Sequence, residues 1–112
     1  MKTVTLGISS RTRAMERMAD AFRGEAQGAF ISFSSVDLLW KVLTAKRWEI
    51  LHAMAGQGAL SIRAVASLVG RDVKAVHGDI TALTAAGVVV RTPRGVKFPY
   101  DAVHVDFTLK AA

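Results

Sequence analysis

Two runs of apolar residues with helical spacing lie between Ser61 and Gly87. The first run predicts a short helix ending at Gly70, because glycine readily adopts the left-handed conformation that follows many helices. The second predicts a helix over about residues 72–86, with the Asp72 carboxylate accepting hydrogen bonds from its first turn. The positions that this spacing predicts to be buried are Ile62, Val65, Ala66 and Val69, then Val73, Val76, Ile80 and Leu83.

The residues where these two helices would cross favour a helix-turn-helix. Ala66 is small enough for close contact, and Gly70 makes the turn. Two branched residues of the second helix, Val76 and Ile80, are expected to pack against the first helix at the crossing. In such a pair the second helix enters the major groove of DNA. The alternative is a helical hairpin that only fills a core.

The opposite face of the second helix carries no large apolar residue, so we expect the chain's own core to leave it uncovered. A recognition helix points its N-terminal half at base edges, and the alternative is an ordinary solvated helix face. Phosphates would repel the Asp79 carboxylate beside this face, so we expect it to pair with a neighbouring Arg or Lys, for example Arg71 across the turn. The less favoured alternative is a contact to cytosine. The candidate DNA-binding residues here are Arg71, Lys74, Ala75, His77, Gly78 and Thr81.

Beyond Gly87 the spacing becomes extended, and the turn sequence TPRG between VVVR and VKF predicts a β-hairpin. Three further candidate DNA-binding residues, Arg91, Arg94 and Lys97, lie on or beside the turn. A basic hairpin after a helix-turn-helix indicates a winged helix, whose wing contacts phosphates or the minor groove. The alternative is a solvated sheet edge. Residues 61–97 carry six cations and two anions, a net charge of +4, whereas the other 75 residues carry +2.

The front of the chain predicts a strand over residues 2–9, a helix from Thr12 to Glu25 and a second strand over residues 29–33. This strand-helix-strand start is not part of a minimal helix-turn-helix. It either completes the domain's own core or serves as an arm for dimerisation or partner binding, and we favour the arm. We therefore divide the chain into an N-terminal extension, residues 1–33, and a winged helix-turn-helix domain, residues 34–112. The expected fold class is α+β.

Two more helices are predicted before the helix pair, one capped by Ser34 or Ser35 and one starting after Thr44. We expect Trp40 and Trp48 to anchor the core, because no basic residues interleave with aromatic ones as in single-strand binders. The core-facing residues predicted in these helices are Val36, Leu39, Trp40 and Leu43, then Trp48, Leu51, and Met54 or Ala55. A last strand is predicted between Tyr100 and Leu109.

Composition narrows the possible functions. The 112 residues are 51% hydrophobic, enough for a real core, and include no cysteine, which excludes disulfides and thiolate metal sites. No apolar run approaches the ~20 residues of a membrane span. The three histidines, His52, His77 and His104, fall on separate predicted elements. We therefore expect a cytoplasmic protein that is not an enzyme and holds no cofactor or metal.

The chain resembles a family of prokaryotic winged-helix regulators, the MarR-like proteins, which include the TumA-type antitoxins of toxin–antitoxin modules. The resemblance covers roughly residues 30–107, and GRDVKAVHGDI is its most specific part. It implies a regulator that binds the promoter of its own operon and neutralises a cognate toxin. Similar sequences commonly place a basic residue where this chain has Gly78, which removes one candidate DNA contact.

These observations predict a sequence-specific regulator, either a repressor or an activator, that binds double-stranded DNA as a homodimer. The alternative is a protein-interaction module that captures a partner toxin, with DNA binding secondary. Deleting residues 1–28 should abolish partner capture or dimerisation if the N-terminal extension is the binding arm.

Overall fold

Four helices and two small sheets form the described part of the chain, residues 2–8 and 29–108, in this computed structural model. The predicted helix from Thr12 to Glu25 lies outside the described residues. The strands are β1 (Thr3–Ile8), β2 (Ala29–Phe33), β3 (Val90–Thr92), β4 (Gly95–Lys97) and β5 (Ala102–Asp106). The helices are α1 (Val36–Val42), α2 (Ala45–Met54), α3 (Ile62–Val69) and α4 (Val73–Ala85). None of these helices has the length and apolar character needed to cross a membrane.

A parallel sheet of strand order β2-β1-β5 joins the two ends of the described chain. All three strands confirm predictions from the sequence, but their pairing was not predicted. In the register, Val4 lies between Ala29 and Val103, and Leu6 lies between Ile31 and Val105. Because side chains alternate along a strand, these apolar residues share one face. Val4 and Leu6 are fully buried in the same hydrophobic cluster as the helices.

Side-chain caps set the start of each helix. Ser35, Thr44 and Ser61 each accept a hydrogen bond from the backbone N–H three residues later. Asp72 accepts two, from the N–H groups of Lys74 and Ala75, which confirms its predicted role. Gly70 has the left-handed conformation expected of it, with φ 66°. The short turn between α3 and α4 therefore follows from local sequence.

The core confirms most of the predicted positions in the helix pair. Val65 and Ala66 of α3, and Val76, Ile80 and Leu83 of α4, are buried. Ile62 and Val69 are partly buried against the same cluster. The prediction for Val73 is wrong, because its side chain is exposed. It is the first residue of α4 and lies one turn before Val76, where the buried stripe begins.

The prediction that the tryptophans anchor the core is wrong. Trp40 is 48% exposed and Trp48 is 44% exposed. In α1 the buried stripe runs through Leu39 and reaches Leu43 just beyond the helix, which puts Trp40 on its flank. In α2 the buried residues are Ile50, Leu51 and Met54, and the half-buried side chain that continues their stripe one turn earlier is that of Arg47.

The predicted hairpin is present as β3 and β4. Val90 pairs with Lys97, Arg91 with Val96, and Thr92 with Gly95. The hairpin is tied to the chain just before α3, because Leu60 and Val96 exchange two backbone hydrogen bonds of 2.8 Å.

Candidate nucleic-acid interface

The solvent-facing side of α4 carries the residues that the sequence singled out. Lys74, Ala75, His77, Gly78 and Thr81 are all exposed. The other side of the same helix is packed into the core through its apolar stripe. The structure thus brings these five residues together on one face with no large apolar side chain among them.

An ion-pair cluster holds α4 from the side. The Asp79 carboxylate accepts from Arg71 Nη1 at 2.8 Å and from Arg47 Nε at 3.0 Å. All three side chains are about one-fifth exposed or less. The predicted pairing of Asp79 with Arg71 is confirmed. The second arginine, Arg47, was not predicted as a partner, and its place in the helical stripe of α2 is the one signal that could have indicated it.

Arg47 also reaches a third helix. Its Nη1 donates to the backbone carbonyl oxygens of Lys41 and Val42, at 3.0 and 3.1 Å, at the end of α1. Carbonyls in the last turn of a helix lack partners within the helix, and a guanidinium supplies them. One side chain therefore connects the end of α1, its own helix α2 and the middle of α4.

Opposing effects act on the pKa of Asp79. Burial acts to raise the pKa of this carboxyl, but hydrogen bonds and charges from Arg71 and Arg47 outweigh burial and lower it below the ordinary value of 3.8. The carboxylate is therefore charged at neutral pH. Because two guanidinium groups face it, its negative charge is compensated next to the face of α4.

Arg71 differs from the other candidate residues, because its guanidinium already has a partner in the chain. Its side chain is only 19% exposed. It fixes the orientation of α4 and keeps little freedom to reach outward.

The cations of the hairpin are exposed but do not share one face. Arg91 pairs with Val96, whereas Lys97 pairs with Val90, so alternation along the strands sends the two cations to opposite sides of the ribbon. Arg94 lies in the turn, where its N–H donates to Thr92 Oγ1 at 3.2 Å. The same hydroxyl donates to the carbonyl of Gly95 at 3.1 Å. The turn that carries Arg94 is therefore held by its own hydrogen bonds.

The histidines stay on separate elements, with His52 on α2, His77 on α4 and His104 on β5. Within residues 2–8 and 29–108, no three side chains of the His, Asp and Glu types come together in a way that could hold a metal ion.

A comparison with protein-family models assigns the chain to a family. The family model named HVO_A0114 matches residues 42–105, which is more than half of the chain. The chain belongs to the HVO_A0114 family. The segment matched by the HVO_A0114 model runs from the end of α1 into β5. It contains the exposed face of α4, the cluster around Asp79 and the hairpin. No curated protein matches the chain.

Proposed function

We propose that this chain is a sequence-specific regulator of transcription that binds double-stranded DNA through a winged helix-turn-helix. In this proposal α3 and α4 are the helix-turn-helix, α4 is the recognition helix and the β3–β4 hairpin is the wing. The observation that carries it is the exposed face of α4, which is polar, basic at its start and free of large apolar side chains, on a helix whose other face is fully packed.

The composition of that face suits a helix lying in a major groove. The groove is wide enough for a helix, and its base edges offer acceptors to Lys74 and His77 and methyl groups to Ala75. Gly78 lets the helix backbone approach closely. Thr81 is one turn further along, where its Oγ1 donates at 2.8 Å to the carbonyl of His77.

The cluster around Asp79 supports the same proposal in two ways. A recognition helix must be held in a fixed orientation if its side chains are to select bases, and Arg47 and Arg71 both hold α4 through one carboxylate. The two guanidinium groups also compensate a negative charge that would repel DNA phosphates. In this proposal Arg71 serves DNA binding mainly by orienting α4.

The placement of the hairpin cations fits a wing that enters a minor groove. Phosphates line both sides of that narrow groove. Arg91 and Lys97, on opposite sides of the ribbon, would each face one phosphate strand, while Arg94 at the turn would point inward.

The resemblance to MarR-like regulators supports narrower proposals. The chain would act as a homodimer, repress its own operon in the cytoplasm and, as a TumA-type antitoxin, bind a cognate toxin. The neighbouring gene tests the antitoxin proposal, since a toxin-like reading frame beside this one is expected.

The DNA-binding proposal can be tested without knowing the operator. Duplexes are selected from a random pool by the wild-type protein, and the affinities of variants for the selected duplex are measured by fluorescence anisotropy over a salt series. Lys74→Ala should weaken binding by ~1–3 kcal/mol if the lysine contacts a base. Arg94→Ala should reduce the salt slope by about one if the arginine contacts a phosphate.

The matched control is Lys41→Ala, which removes one exposed cation from α1, outside the proposed interface. It should leave affinity close to that of the wild type. If no duplex is enriched, or if all three variants bind equally well, the proposal is wrong.

A further inference from the structure

A groove opens between α2 and the edge strand β5. It consists of two adjoining cavities of about 280 and 560 Å³, and Trp48 lines both. Leu51 and Val103 also line the smaller cavity, and Trp40 and Val105 also line the larger one. We call this surface the tryptophan groove.

The rim of the tryptophan groove is aromatic and exposed. Trp40, Trp48 and Phe107 are each between 41% and 48% exposed. The rings of Trp40 and Phe107 meet edge to face at a centroid distance of 5.6 Å. Single exposed apolar residues are ordinary on protein surfaces, whereas adjoining ones form a patch of the kind found at interaction sites.

Among the described residues, the strand beside the groove is an edge strand of its sheet. In the part of the chain that the structure describes, β5 pairs with β1 on one side and with no strand on the other. Its residues Ala102–Asp106 include neither lysine nor proline, which commonly protect exposed edges. The edge is therefore suited to accept another strand.

We propose that a second copy of this chain occupies the tryptophan groove, with its β5 pairing antiparallel to β5 of the first. A two-fold axis at His104 would set Val103 of one copy against Val105 of the other. These two residues adjoin the smaller and the larger cavity. The smaller cavity of each copy would then face the larger cavity of the other copy, so the surface is complementary to itself.

Charge agrees with this occupant, and the exposed aromatic rim supplies part of the area that a dimer interface needs. In that register Asp106 faces Ala102 of the second copy, so no carboxylate opposes another along the strand pair. Aromatic side chains bury roughly 150–250 Å² each. The exposed fractions of the three rim residues therefore amount to roughly a third of the ~800 Å² per partner in a standard interface, and the β5 edge adds to them.

The tryptophans themselves allow a direct test, since the chain has two and both lie in the groove. Sedimentation and tryptophan emission are recorded over the same dilution series of the full-length protein. We expect dimers at high concentration, and an emission shift to longer wavelength that follows dissociation. A monomer at all concentrations, or dissociation without a shift in emission, would overturn the proposal.

Variants separate this surface from others. Trp48→Glu should weaken the dimer ~10-fold or more, whereas Trp48→Phe should preserve it. Leu68→Glu is the matched control, because Leu68 is also an exposed apolar residue, on α3 and outside the groove. Equal weakening by Trp48→Glu and Leu68→Glu would contradict the proposal. This inference rests on the homodimer proposed above and names its surface. Because the experiment uses no DNA, it can fail while the DNA-binding proposal stands.

Discussion

Gly78 is an exposed glycine in the middle of α4 that the fold itself does not require. Its φ is not positive, and a Cβ built at this position meets no atom within 4 Å. Glycine inside a helix costs about 0.5–1 kcal/mol relative to alanine. A residue that costs stability without serving the fold fits a place where a ligand comes close to the backbone.

Two substitutions at Gly78 should therefore affect two different properties, the stability of the fold and the affinity for DNA. Gly78→Ala should raise the free energy of unfolding by about 0.5–1 kcal/mol, measured by urea denaturation. Gly78→Leu should leave the protein folded but weaken binding to the selected duplex at least ~10-fold, because the side chain blocks close approach. Ala85→Leu, at an exposed position near the end of the same helix, is the control and should bind normally. Normal binding by Gly78→Leu would refute close approach at this position.

Asp79 is the residue where pH should affect stability. Its pKa is lowered in the folded chain, so its contribution is complete above the ordinary value of 3.8 and is lost as pH falls through the lowered pKa. Asp79→Asn should therefore destabilise the protein by about 1–3 kcal/mol at neutral pH, since it leaves two half-buried guanidinium groups without a charged partner. The stability difference between wild type and variant should shrink below about pH 4. A difference that stays constant over that range would contradict this role.

Residue-scale predictions from the sequence succeeded where the decisive neighbour is close in the chain. Asp72 and Gly70 were predicted because capping is local. The burial of Arg47 and the exposure of Trp48 were not, because helical spacing leaves the edge of a buried stripe uncertain by one position. Arg47 lies at that edge, and its side chain is partly buried because it pairs with the Asp79 carboxylate on α4, which is distant in the sequence.

At the scale of the elements, the docking of the β3–β4 hairpin depends on one glycine. Gly95 has φ 134°, and a Cβ there would overlap the carbonyl of Leu60, whose backbone bonds dock the hairpin. Gly95→Ala should therefore lower the free energy of unfolding by about 2 kcal/mol or more. Gly78→Ala makes the same chemical change at an open position and should have the opposite sign. If Gly95→Ala and Gly78→Ala changed thermal denaturation equally, the docking of the hairpin would not depend on the lack of a side chain at residue 95.

The helix pair and the hairpin were predicted from sequence because each is defined by short-range spacing and turn residues. The order of the parallel sheet was not. The β1–β5 pairing joins residues about a hundred positions apart, and an apolar alternation identifies a strand without naming its neighbour. The groove beside β5 was missed for the same reason, since it exists only after that pairing forms.

At the scale of the molecule, the described chain presents two kinds of surface. One kind, found on the face of α4 and on the β3–β4 hairpin, is polar and basic. The other is the aromatic groove beside β5. The proposals assign DNA to the first and a second copy of the chain to the other, so each assignment can fail without the other.

Amide hydrogen exchange with and without the selected duplex can show whether α4 binds DNA as the recognition helix, because it reports along the whole chain which backbone amides become protected. We expect DNA to protect residues 72–81 and 91–97 and to leave exchange at β5 and at the rim of the tryptophan groove unchanged. DNA-bound protein with no added protection over residues 72–81 would contradict the claim that α4 is the recognition helix.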